Sequence, residues 1–334
     1  MLLRLLKGTG PGVLILILMS LVAVWISPLT GPPATTDAMP GEKPMILYSL
    51  LTGLTGEGTT GGILLSVVLT GLMAYLLVYF NTLEFFISER TYLPAFVYIL
   101  LTGLFPMNQQ MNPALPASVF LLLAIMRIVN TYRVQGTAFS FFDAGFLISV
   151  GSLFYANLIW SGLLLFAGII LIRNISLREL VISVAGLLTP FLLCAGIMYV
   201  AGEDVTSLTE GLRFNILEMT VSPRLMPVTI AGLLVMGLYL FIGIAYLLTV
   251  IGNKKIKTRK AFSVFLWSLA ISVVSSLFLS SVSMEIIWTG LIPAAYLITH
   301  FFVFSRKKLI REILFIILVV SVIAAQILYF HTGV

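Results

Sequence analysis

Apolar residues in this chain come in long runs rather than in strict alternation with polar ones. The runs are about twenty residues long, the length of a helix that crosses a bilayer, whereas barrel strands are about half that and alternate. They predict eleven helices, over 13–29, 63–80, 92–105, 115–131, 139–155, 157–172, 180–201, 226–251, 261–279, 286–304 and 313–329. The third is short for a span, and only Ala156 separates the fifth from the sixth. Pro190 interrupts the seventh, where a kink is expected, and Pro293 lies inside the tenth.

The segments between the runs carry most of the charge, and the charge has a direction. Arg4 and Lys7 precede the first run, which reads as a retained helix rather than a cleaved signal because no small-x-small site follows. Basic residues then gather at Arg133, at Arg173 and Arg178, at Lys254–Lys260 and at Arg306–Arg311. If the N-terminus is inside, alternation of the spans leaves only Lys43, Arg213 and Arg224 of the nineteen basic residues outside. That asymmetry is the signature of the positive-inside rule, and it places the C-terminus outside. The outside loops are 30–61 and 202–225. Within the first, 45–54 is apolar enough to lie on the membrane surface, and 56–62 reads as a Gly/Thr loop without the Lys-Ser/Thr ending of a phosphate cradle. The expected architecture is therefore all-α, a polytopic transmembrane bundle forming one integral membrane domain over 1–334.

Composition agrees and removes several functions. Hydrophobic residues make up 60% of the chain and charged residues 10%, against about a quarter charged in soluble proteins. The net charge of +6 is explained by topology, so no nucleic-acid partner is expected; the basic clusters would meet anionic lipid headgroups instead. The single cysteine, Cys194, excludes an internal disulfide and a cysteine-based metal site. No nucleophile elbow, zinc motif or Walker motif is present, and neither a metal nor a resident cofactor is expected.

Three sets of polar residues stand out against this apolar background. Arg127 and Asp143 lie equally far from the turn centred at residue 135, so consecutive antiparallel helices bring them to similar depth near the inner face. They read either as an ion pair that locks the hairpin or as the lining of a cavity that holds a lipid phosphate. Asn108, Gln109, Gln110 and Asn112 form a polar outer tip, an ordinary Asn-Pro turn or a short re-entrant segment. Asp37 and Glu42, in the first outside loop, are the carboxylates placed to act as catalytic bases, and Glu57, Glu203, Asp204, Glu210 and Glu218 are further outside acids. His300 and His331 fall near opposite faces and cannot share a metal.

The stretch from Pro113 to Arg127, followed by Phe142-Asp143-Ala-Gly-Phe-Leu-Ile-Ser-Val-Gly-Ser-Leu-Phe-Tyr155, resembles an uncharacterised family of polytopic inner-membrane proteins of Bacteroidota. That resemblance implies a multi-pass protein of the bacterial inner (cytoplasmic) membrane and no established activity. The same segment is more distantly similar to the GT-C superfold of glycosyltransferases. That similarity implies a polyprenyl-phosphate-linked sugar donor, with Asp37 or Glu42 as the base that deprotonates the acceptor. The acidic pair that many such enzymes carry directly after the first helix is missing here. Three functions remain open: a transferase in envelope glycan assembly or its inactive relative, a non-catalytic envelope assembly component, and a transporter or flippase. The bilayer is the one sure partner; a lipid-linked substrate follows from the first and third readings, and no protein partner is legible.

Overall fold

The computed structural model describes residues 3, 6, 8, 10–30, 43–56, 58–87, 89–132, 138–172, 177–220 and 226–332. Among them there are helices and no strands. In chain order these are α1 (Pro11–Thr30), α2 (Ile46–Thr55), α3 (Thr60–Glu84), α4 (Leu93–Gly103), α5 (Ala114–Asn130), α6 (Ala138–Ser152), α7 (Leu163–Ile172), α8 (Leu177–Ala201), α9 (Thr206–Arg213), α10 (Pro227–Val250), α11 (Ile256–Phe278), α12 (Ile287–Phe304) and α13 (Lys308–Thr332). Among the described residues seven helical stretches, built on α1, α3, α8, α10, α11, α12 and α13, are long and apolar enough to cross a membrane. The apolar stretches at α4, α5, α6 and α7 are shorter. At about 1.5 Å per residue, the eleven residues of α4 extend about 16 Å, half the apolar thickness of a bilayer.

Several expected boundaries move. The break between the fifth and sixth predicted helices is real but wider than one residue: α6 ends at Ser152, and a 3-10 turn over Ala156–Gly162 precedes α7. The two outside loops are not plain loops. The first holds α2, with Gly56 at its end in the left-handed region (φ 76°), and α3 already begins at Thr60. The second holds α9 and a π-helical turn, Phe214–Glu218. Lys257, Arg259 and Lys260 belong to the first turns of α11, and Lys308 and Arg311 to the start of α13, rather than to loops.

The centre of the bundle is α12. Every residue from Ile286 to Val303 is buried, and α12 packs against α4, α5, α10 and α11 and touches α13. Around its lower half, aromatic rings interlock. Tyr296 lies 4.6 Å from Phe265 and 4.8 Å from Phe86, centre to centre, and its hydroxyl donates to the Leu77 carbonyl at 2.7 Å. Phe86 reaches this cluster because the chain reverses sharply after α3. Phe85 takes a left-handed conformation (φ 51°), which costs about 1–2 kcal/mol for a residue with a Cβ. The Asn81 side chain holds the turn, accepting from the Ile87 N–H at 3.0 Å and donating to the Glu89 carbonyl at 3.3 Å. Full burial of Phe86 and Ile87, at about 2 kcal/mol or more each, outweighs the strain.

The two ends of the bundle differ in chemistry. At one end cations close the helix termini. Lys260 donates to the Ile172 carbonyl at the end of α7 (2.9 Å), and Arg311 to the Val303 and Ser305 carbonyls at the end of α12. Lys254 stands 3.6 Å from the centre of the Phe304 ring. Partial burial there lowers its ammonium below the ordinary lysine range, and Glu89 opposes the shift. Lys257, in the first turn of α11, pairs with Glu84, the last residue of α3. Each charge faces the unfavourable pole of its own helix, so the pair relieves two misplacements at once. At the other end the closing groups are side-chain amides.

Candidate functional site

Three irregular stretches meet at that amide end: 104–113, 153–162 and 279–286. Each interrupts an apolar run, so each brings backbone N–H and C=O groups into surroundings that cannot solvate them. Such backbone is tolerated near a membrane only when protein groups satisfy it.

The tip after α4 shows how this is done. The last carbonyls of α4 have no partner within the helix. Gln109 donates to the Thr102 carbonyl at 3.4 Å, and Gln326 of α13 donates to the Gly103 carbonyl at 2.9 Å and to the Gln109 side-chain oxygen at 3.0 Å. Asn112 opens the next helix: its Oδ1 accepts from the Leu115 N–H at 2.9 Å, and its amide donates to the Asn108 and Gln110 carbonyls, both at 3.1 Å. Asn108 reaches across to the Met284 carbonyl at 3.2 Å. Gln109 and Asn112 are buried, so the tip is sunk into the bundle rather than displayed.

The second break is tied to the third stretch in the same manner. Asn157 donates to the Ser281 carbonyl at 2.9 Å, and its side-chain oxygen accepts from the Ser281 hydroxyl at 3.4 Å. The Tyr155 and Ser283 hydroxyls are 3.4 Å apart. Over this layer lies a cap made of α2, α9 and the turn Phe214–Glu218. Asn215 clasps Lys43 in both directions, accepting from its N–H at 3.1 Å and donating to its carbonyl at 2.7 Å. The Leu47 N–H donates to the Leu153 carbonyl at 3.1 Å, and the Tyr48 hydroxyl donates to the Met111 carbonyl at 3.3 Å. Met45, Leu153, Ala156, Met198 and Leu208 form a small apolar core beneath the cap.

Asp37, Glu42, Glu57 and Arg224 lie outside the described residues. Glu203, Asp204, Glu210 and Glu218 are exposed on the cap side; Glu218 pairs with Arg213 at 2.9 Å. Asp204 accepts from the N–H and the hydroxyl of Thr206, at 2.9 and 2.8 Å, and these two bonds hold its carboxyl below the ordinary aspartate range. Arg127 and Asp143 lie at the opposite, cationic end, 3.8 Å apart and about half exposed (57% and 45%). A pair that open is worth about 0–1 kcal/mol. His331 is exposed at the end of α13, whereas His300 is fully buried in α12, with both ring nitrogens lacking a hydrogen-bond partner. Among the described residues no three His, Cys, Asp or Glu side chains gather as a metal site.

Sequence reading singles out Asn108, Gln109 and Asn112 but misses Tyr155, Asn157, Asn215, Ser281, Ser283 and Gln326. Gln326 was open to detection as the one amide in a long apolar helix, and Asn157 as the polar residue directly after a break. Asn215 gives no such sign, because an asparagine in a polar loop looks ordinary.

No curated protein matches the chain. No solved structure matches it either. The family comparison does give a match, over residues 55–332, which takes in α3 to α13 and begins after Asp37 and Glu42. The chain belongs to a family of unknown function, DUF6427.

Proposed function

We propose that this protein is a multi-pass component of the bacterial inner membrane that serves envelope assembly without catalysing a reaction itself. Among the described residues eleven helices run between its two ends, seven of them long enough to cross the bilayer, with the N-terminus inside and the amide end outside. The charge distribution supports the orientation: among the described residues the cationic end holds the lysine and arginine clusters, while Lys43 and Arg213 are the basic residues at the amide end.

One observation carries the assembly reading. Asn108, Gln109, Asn112, Asn157, Asn215 and Gln326 all bond to groups of this same chain. Polar groups engaged in this way hold a surface in shape; they are not waiting for a substrate. The surface they hold carries exposed apolar side chains on the cap, Leu50, Leu54 and Leu217.

A second reading, a GT-C-like transferase using a polyprenyl-phosphate-linked sugar, draws on a different observation. Thr30 and Lys43, the described residues that flank 31–42, both belong to the amide end, so Asp37 and Glu42 are on the connection between them. A carboxylate there would take the proton of an acceptor hydroxyl as the sugar leaves its phosphate.

One pair of measurements separates the two. A photoreactive amino acid at Leu217 in cells should yield a discrete protein adduct, and purified protein should transfer no sugar from a polyprenyl phosphate. Transfer by the wild type that Asp37→Asn or Glu42→Gln abolishes would sink the assembly reading and establish the transferase. Adducts to lipid alone would also count against assembly.

A further inference from the structure

We propose that a groove between the ends of α1 and α13 binds one phospholipid, with its phosphate at the mouth and one acyl chain inside. The groove has a volume of about 300 Å³ and is lined by Ile26, Ser27 and Thr30 of α1 and by Gln326, Ile327, Phe330 and His331 of α13. That volume is at the lower limit of ordinary ligand sites, enough for a length of single chain rather than a bulky headgroup.

The occupant follows from where the groove opens and what it offers. Both walls belong to membrane-length helices that otherwise face outward, with 28% and 22% of their spans buried. A groove between two such walls opens toward lipid. The flanks are apolar: Ile26, Ile327 and Phe330 are each more than half exposed. An ordinary lipid-facing surface would be apolar throughout, because polar groups there are costly. This one is not. Ser27 is 92% buried beside the groove, and His331 is exposed at its end. Gln326 uses its amide hydrogens on Gly103 and Gln109, so it offers a phosphate no donor. A serine hydroxyl and an imidazole N–H, in the last turns of two spanning helices, supply donors at the depth where phospholipid phosphates lie. An apolar flank below donors at headgroup depth fits an amphiphile with an anionic head. This site stands independently of the assembly and transferase readings.

Native mass spectrometry of the full chain in detergent tests the site. Dioleoyl phosphatidylglycerol and dioleoylglycerol, which share their chains, are offered at equal concentration. A single phosphatidylglycerol adduct, roughly tenfold above the diacylglycerol signal, is expected. Ser27→Trp fills the groove and should cut that adduct about fivefold; His331→Ala should cut it about threefold. Should Ser27→Trp fail to fold, Ile327→Trp blocks the same space from a lining side chain that is half exposed. Equal adducts for the two lipids would overturn the proposal, as would adducts indifferent to a folded tryptophan variant. A dimer that the tryptophan variants dissolve would overturn it too, since a second copy would then be the occupant.

Discussion

Helices α8 and α12 would be hard to rank from their composition, yet they occupy opposite extremes of the bundle. The 18-residue apolar centre of the span containing α12 is fully buried, and that of α8 is 17% buried. The buried one is the less apolar: its mean hydropathy is 1.7, against 2.3 for α8 and 2.8 for α13. In a soluble protein the order would be reversed. Lipid is as apolar as a protein interior, so the outermost helices carry the most hydrocarbon, and the interior is where Thr289, Tyr296, Thr299 and His300 can be accommodated. α8 is attached by close backbone approach instead. A Cβ on Gly186 would fall 2.3 Å from the Phe142 carbonyl oxygen, and one on Gly145 would fall 2.6 Å from that of Ser183.

This contrast can be pressed from both sides. The largest effect is expected at Leu297→Ala, which opens a cavity beside α12 where the side chain is fully buried; about 2–5 kcal/mol should be lost, read as a lower melting temperature in detergent. Gly186→Val should follow, at about 1–3 kcal/mol, because the clash is with backbone that no rotamer can relieve. If it melts like the wild type, α8 is not held by its glycines. The next effect has the opposite sign. His300→Leu should stabilise by about 1 kcal/mol, since it removes two buried nitrogens that lack partners. Destabilisation would mean that the imidazole does work that the resting structure does not display. Leu192→Ala, on the outward face of α8, should change stability by about 0.5 kcal/mol or less.

The smallest effect lies on the cap. Asp204 titrates below the ordinary aspartate range because Thr206 donates to it twice. A depressed folded pKa means its contribution is complete above the unfolded value of about 3.9 and disappears as pH falls through the folded one. Amide exchange at Thr206 should therefore quicken only under that acid condition. Unchanged protection there would show that the turn holds without the carboxylate.

The positions of the long helices were legible in the chain because twenty-residue apolar runs and clustered cations are local signals. The approach of Arg127 to Asp143 was legible too, since equal distances from one turn fix equal depth in an antiparallel hairpin. The tip at Asn108–Asn112 announced itself by breaking a run, although its burial did not. What the amides do there depends on partners far along the chain: Gln109 on Gln326, Asn157 on Ser281, Asn215 on Lys43. No spacing encodes those meetings. The sequence by itself determined which segments leave water, because transfer to an apolar medium depends on each segment's own side chains. Only the tertiary structure decided which of them leave lipid as well. Lipid and protein interior reward hydrocarbon alike, and the choice falls to close-packed shape and to polar groups finding one another across the bundle.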